Sequence, residues 1–434
     1  MKKILALLLA VVMVLSLVAC ASTKTEEPAQ TEEPAKTEEP AKTEEETPVE
    51  EPTEEETPAE EPAEAEYAVA MITDYGDITD QSFNQTTYEA CKAFCEANGI
   101  DFTYFKPAGD NTADRVAMIE KAADEGYNVI VMPGYAFGGA IVEAAPEYPD
   151  VKFIALDVGK GDLLEAGVAA AGESYDYNPD NWDLETYVDM SNVYCAVYQE
   201  ELCGYMAGYA AVKLGYTKLG FLGGMAVPAV IRYGYGFVQG ADAAAAETGA
   251  DVSLKYAYGN QFYGDGDITA AMDTWYAGGT EVVFACGGGI YTSAVDAAKK
   301  VEGAKVIGVD VDQAGVIANY AGGDDYKDLT VTSAMKGLYP ATYDALNDVI
   351  NNGNWADYVG KIATLGLVSG DDPTVNYVQI PYESTQWSDS FTQDDYKALV
   401  KDMFDGKITV SNDITVSAAD NAKTIAVEDL GNLK

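Results

Sequence analysis

The sequence predicts an α/β chain built as two doubly wound lobes with parallel sheets. Two observations predict it. From Tyr67 onward, short runs that are apolar almost throughout alternate with amphipathic stretches, as strands covered on both faces require. The alternation also runs through two successive series, and the roughly 370 residues involved exceed one comfortable doubly wound domain.

The first series opens on YAVAMIT (67–73), a strand, followed by a helical stretch from Gln81 to Ala97. DFTYF (101–105) is the next strand, with a helix from Asn111 to Glu125 behind it. YNVIVM (127–132) and VKFIAL (151–156) flank a third helical stretch. The second series begins at NVYCAVY (192–198), then a helix over 200–213, KLGFLGG (218–224) and a helix over 228–247. DVSLKYAY, EVVFACGGG and AKVIGVD continue it, each followed by a helical pattern. In sheets of this kind ligands bind beyond the carboxyl ends of the strands. Asp74 follows the first run, Gly134 to Phe137 follow the third, Gly287 to Gly289 follow EVVFAC, and Asp310 ends KVIGVD. GGGIYTS has neither P-loop nor GxGxxG spacing, so its glycines argue for close backbone approach to a ligand rather than a phosphate cradle.

Residues 1–66 follow another pattern. MKKILALLLAVVMVLSLVAC (1–20) places two lysines before an apolar run, Ile4 to Ala19, that only Ser16 interrupts. The run is shorter than the roughly 20 residues a bilayer span needs and reads as a signal peptide. Leu17-Val18-Ala19-Cys20 resembles a bacterial lipobox, which makes Cys20 the expected lipidation site; the alternative is a secreted protein with an incidental cysteine. Residues 21–66 hold 18 Glu, 3 Lys and 7 of the 16 prolines, with no aromatic side chain. Such a segment cannot repay its ordering entropy, so it reads as a disordered acidic tether, with an interaction tail as the second reading.

Composition excludes several functions. The 434 residues contain no histidine, so neither a Ser-His-Asp nor a Cys-His catalytic unit exists, nor a histidine-ligated metal site. The net charge is −46, and residues 67–434 alone carry 21 basic against 54 acidic side chains, a net of −33. Nucleic acid and anionic lipid surfaces are poor partners for such a chain. Beyond Cys20, the cysteines are Cys91, Cys95, Cys195, Cys203 and Cys286, an odd number without zinc spacing, and they read as small buried side chains. No cofactor or metal is called for. The enzymatic alternative left open is carboxylate chemistry of the glycosidase kind.

Four stretches together resemble the basic membrane protein family of ABC-transporter substrate-binding lipoproteins. They are MITDYGDITDQSFNQTTYEA, YQEELCGYMAGYAA, KLGFLGGMAVPAVIRYGYGFVQG, and VIGVDVDQ joined to TSAMKGLYPA. The resemblance implies a type I periplasmic-binding fold, two α/β lobes linked by hinge strands and closing on a ligand. By analogy the chain crosses between lobes near Val197–Gln199 and near Asp310–Asp312. The lobes are then expected as 67–198 with 312–355, and 199–311 with 356–434. The implied role is that of a membrane-anchored carrier on the extracytoplasmic face, acting as a monomer with a permease and an ATPase. The implied ligand is a small solute, a purine nucleoside in the best-understood branch; a simple sugar or a vitamin is the alternative.

Site residues follow from the same resemblance. Phe83 and Tyr233 form an aromatic clamp on a flat ring, Asp74 and Asn84 read its edge, and Asp310 with Lys336 takes sugar hydroxyls. Gly287 and Gly288 offer backbone N–H groups, and Gly134 joins them by its place after the third strand. Each has a plainer reading: an Asx-turn at Asp74, core packing at Phe83, one of 30 tyrosines at Tyr233, a hinge salt bridge for Asp310 and Lys336, a turn at the glycines. Three departures from the family pattern stand out. Tyr233 replaces the usual Phe, Cys203-Gly204 replaces Gly-Ser, and the segments 159–190 and 320–328 read as insertions able to reshape a cleft.

Overall fold

A computed structural model describes residues 67–434. The leader, Cys20 and the acidic segment 21–66 lie outside the described residues. In the first lobe the strands are β1 (Ala68–Ile72), β2 (Asp101–Phe105), β3 (Val129–Pro133), β4 (Lys152–Leu156) and β5 (Val193–Tyr198). In the second they are β6 (Lys218–Gly223), β7 (Ser253–Tyr258), β8 (Val282–Cys286), β9 (Lys305–Asp310) and β10 (Thr330–Lys336). Three more follow: β11 (Ile362–Leu365), β12 (Val378–Gln379) and β13 (Ala426–Asn432).

One sheet runs β11-β5-β4-β3-β1-β2 and the other β12-β10-β9-β8-β6-β7-β13. All pairings are parallel except that of β12 with β10. β3 and β8 are buried along their whole length, which is why their runs are apolar without alternation. The two sheets repeat one order, β5-β4-β3-β1-β2 matching β10-β9-β8-β6-β7. Asp157, just after β4, therefore corresponds to Asp310 at the end of β9. Gly134, just after β3, corresponds in the same way to Gly287 after β8.

The lobe boundaries differ from those expected. The segment 312–355 was expected in the first lobe, after a crossing at Asp310–Asp312. Instead the helix Ala314–Ala321 returns the chain to the same sheet, and β10 pairs with β9 from Thr330 to Met335. β10 escapes an apolar reading because TVTSAMK buries hydroxyls, two of which find partners: Thr332 Oγ1 shares a hydrogen with Thr385 Oγ1, and Ser333 Oγ accepts from the Gln313 amide. The chain leaves the second lobe only at Lys336–Gly337. The next helix, Leu338–Leu346, packs Ala345 and Leu346 with Val69, Met71 and Phe94 of the first lobe. β11 then pairs with β5 rather than joining the second sheet, so the last crossing follows Leu365 instead of residue 355.

Three crossings thus form the hinge, and they hydrogen-bond to one another. Gln199 N donates to Leu365 O at 3.0 Å, Tyr377 N to Gly366 O at 3.0 Å, and Gly337 N to Tyr377 O at 2.6 Å. Beside the hinge, the helices Glu200–Lys213 and Pro228–Thr248 pack backbone to backbone. A methyl group at Gly204 would lie 2.2 Å from Tyr233 O, and one at Gly236 would lie 2.1 Å from Glu201 O. This approach, which only glycine permits, sets Glu200, Arg232 and Tyr233 beside the hinge. The five described cysteines are all free and buried.

Candidate ligand-binding site

A cavity of about 410 Å³ lies between the lobes at the carboxyl ends of the strands. Asp74, Phe83, Asn84 and Gly134 line it from the first lobe, and Tyr233, Gly287, Gly288, Asp310 and Lys336 from the second. All nine residues singled out in the sequence therefore meet in one place. Neither segment read as an insertion reaches it. Most of 159–170 is the helix Lys160–Ala170, which covers the first sheet between β4 and β5, and residues 324–326 form one short turn.

Asp74 makes the Asx-turn weighed for it and also lines the cavity. Its Oδ1 accepts from the amides of Tyr75 (2.6 Å) and Gly76 (2.8 Å), an Asx-turn that ends β1, and from Asn84 Nδ2 at 3.4 Å. Its Oδ2 faces Gly134, where a Cβ would come within 2.8 Å. Gly134 has φ +127°, a conformation side-chain-bearing residues avoid, so its identity keeps the Asp74 carboxylate open to the cavity. Burial pushes the Asp74 pKa up, against the pull of its backbone donors.

The helix Phe83–Asn98 begins at Ser82, yet Ser82 does not cap it. Asp80 does so, accepting from the amides of Ser82, Asn84 and Gln85 at 2.9–3.1 Å. The Ser82 hydroxyl is thereby released to cross the cleft and donate to Asp310 Oδ2 at 2.6 Å. From the other side, the Tyr233 hydroxyl donates to Asp310 Oδ1 at 3.3 Å. Asp310 itself sits at φ +65°, and its counterpart Asp157 at φ +61°. Such backbones are sparsely populated away from glycine, and here they occupy equivalent places in the two lobes.

Lys336 stands between these carboxylates. Its Nζ pairs with Asp157 at 2.5 Å and lies 3.7 Å from both Asp310 and Glu200. Glu200 is in turn held by Arg232 Nε at 2.7 Å. Burial disfavours the Lys336 ammonium, but Asp157, Asp310 and Glu200 outweigh it and hold its pKa above the ordinary lysine value. The same burial raises the Asp157 carboxyl, whose Oδ1 has no partner. The Phe83 ring centroid is 4.6 Å from Lys336 Nζ and that of Tyr233 5.8 Å, so the two rings flank the ammonium.

Sequence reasoning missed four contributors. Asp157 was legible from the carboxyl-end rule, since it directly follows VKFIAL. Ser82 lay inside a quoted motif. Tyr75 and Phe262 carried no signal beyond their residue type; they close the mouth from opposite lobes, with ring centroids 6.2 Å apart. The cavity is acidic: Asp74, Asp77, Asp80, Asp157 and Asp310 face only Lys106 and Lys336, and Lys106 is paired with Asp77 at 2.9 Å. Among the described residues no cluster of three or more cysteine or carboxylate side chains is arranged for a metal ion.

Comparison with known proteins agrees with this architecture. Residues 67–401 match the family model described as ABC transporter substrate-binding protein PnrA-like. The chain is 26% identical over 358 residues to the ABC transporter nucleoside-binding protein BmpA of Lactococcus lactis subsp. cremoris, covering 79% of this chain and 88% of that one. It is 25% identical over 314 residues to an uncharacterized lipoprotein of Pyrococcus furiosus, covering 70% and 68%. Among solved structures, an ABC transporter solute-binding protein from Aeropyrum pernix shares the fold, with a TM-score of 0.57 at 20% identity over 80% of this chain and 88% of that one. The matched family is one of substrate-binding proteins rather than enzymes, which sets the glycosidase alternative aside. The chain belongs to the PnrA-like family of ABC transporter substrate-binding proteins.

Proposed function

We propose that this protein is the lipid-anchored, extracytoplasmic binding subunit of an ABC importer, and that its ligand is a nucleoside with purines preferred. The observation that carries the reading is the convergence of aromatic, edge-reading and hydroxyl-accepting side chains from both lobes on one cavity. Phe83 and Tyr233 grip the base, a contact typically worth about 0.5–1.5 kcal/mol beyond area burial. Asp74 and Asn84 read its edge, Gly134 gives that edge room, and Gly287 and Gly288 present backbone N–H groups. Asp310 and Lys336 receive the sugar. The name of the Lactococcus relative supports the ligand class.

The acidic lining argues against nucleotides, since a phosphate brings further negative charge to a site whose two lysines are already paired. Lipidation at Cys20 rests on the lipobox, and the Pyrococcus relative bears the name lipoprotein. A monomeric carrier held by that anchor delivers its solute to the permease and ATPase when the lobes part. Denaturing the purified full chain and identifying released small molecules by mass spectrometry tests the ligand. A purine nucleoside is the expected result, and a simple sugar or a vitamin contradicts it.

A further inference from the structure

Among the described residues, Asp310 is the one carboxylate at which hydroxyls from both lobes converge. Its side chain is buried, Ser82 Oγ donates to Oδ2 at 2.6 Å, and Tyr233 OH donates to Oδ1 at 3.3 Å. Both donors are themselves enclosed, Ser82 completely and Tyr233 with 1% exposure. Burial also holds the Tyr233 phenol well above its ordinary pKa, so it keeps the proton it donates. Each oxygen of Asp310 is therefore served by one protein hydroxyl before any ligand enters.

This changes what a missing sugar hydroxyl costs. A site built to bond a substrate hydroxyl rejects the analogue lacking it because the analogue strands a buried polar group. Here the analogue strands neither oxygen of Asp310. A vicinal diol, by contrast, must add to oxygens that already accept a bond from a fixed donor. Lys336 does not restore the requirement, because its close partner is Asp157 at 2.5 Å while Asp310 lies at 3.7 Å.

Resting on the nucleoside reading above, we propose that the Tyr233 hydroxyl sets sugar selectivity, so that 2′-deoxyribonucleosides bind about as well as ribonucleosides. The phenol stands in for a ligand hydroxyl on Asp310. Removing it by Tyr233→Phe keeps the ring and returns Oδ1 to dependence on the ligand.

Calorimetry of the full chain and of Tyr233→Phe with guanosine and 2′-deoxyguanosine tests this. The unsubstituted protein should hold the two within about threefold, and the variant should favour guanosine by at least about tenfold. A guanosine preference above about thirtyfold in the unsubstituted protein overturns the proposal, whatever the variant does. So does an unchanged ratio in a Tyr233→Phe protein whose thermal midpoint matches the parent. Absence of heat from either nucleoside in the unsubstituted protein overturns the nucleoside reading itself, an outcome distinct from a measured but wrong ratio.

Discussion

Lys336, the last residue of β10, is joined at 2.5 Å to Asp157, the residue that follows β4 in the other lobe. The pair ties the hinge to the cavity floor, and it does so where both side chains are almost wholly out of solvent. Removing one partner of a buried pair typically costs about 3–5 kcal/mol, because the other charge is left uncompensated. Lys336→Met leaves Asp157, Asp310 and Glu200 with Arg232 alone. Urea unfolding at neutral pH should show a loss of that size, and an unchanged midpoint would mean the pair carries no net stability.

Glu201 gives a pH dependence with a definite sign. Burial pushes its carboxyl from the ordinary 4.5 up to about 7, with neighbouring Glu200 adding to the rise. The folded chain then binds this proton more tightly than the unfolded chain. The contribution is fully present below about pH 4.5 and is lost as pH rises toward 7. Glu201→Gln removes the slope. Its stability relative to the parent should improve by about 2–3 kcal/mol between pH 4 and pH 8, read from unfolding curves across that range. A difference that stays constant with pH would show that Glu201 titrates as an ordinary carboxylate.

Gly134→Ala probes the room made for Asp74. The added methyl would meet Asp74 Oδ2 at 2.8 Å, and φ +127° strains any residue but glycine. Stability should fall by about 1–3 kcal/mol, and nucleoside affinity by about tenfold or more, as the carboxylate turns away. A variant with parental affinity would place Asp74 outside the ligand's reach.

Cys20→Ser tests the anchor apart from the site. Fractionation without detergent should move the protein from membranes to the soluble fraction while ligand affinity stays unchanged. Retention on membranes would contradict lipidation at Cys20.

Much of the fold was written in period and hydropathy. The strands with continuous apolar runs, β3, β8 and β9 among them, fall within a residue or two of where the sequence puts them, because burial on both faces leaves no polar position. β10 was missed because its buried Thr330, Thr332 and Ser333 mimic a loop composition. The lobe boundary moved with it, from residue 312 to Gly337. At the cavity, residues just beyond strand ends were legible from topology alone. Ser82 was not, since its reach to Asp310 depends on Asp80 relieving it of capping, an exchange of partners that residue type does not signal. Phe262 was equally hidden: its place against Gly224 and Gly287 comes from packing between loops distant in sequence.

The cavity between the lobes is proposed to take a nucleoside. Isothermal titration calorimetry of the full chain with guanosine, inosine, adenosine, free ribose and guanosine 5′-monophosphate tests it most directly. Purine nucleosides should bind saturably in the micromolar to nanomolar range, about −8 to −12 kcal/mol, with little or no heat from ribose or the monophosphate. Saturable binding of ribose with no heat from any nucleoside would contradict it.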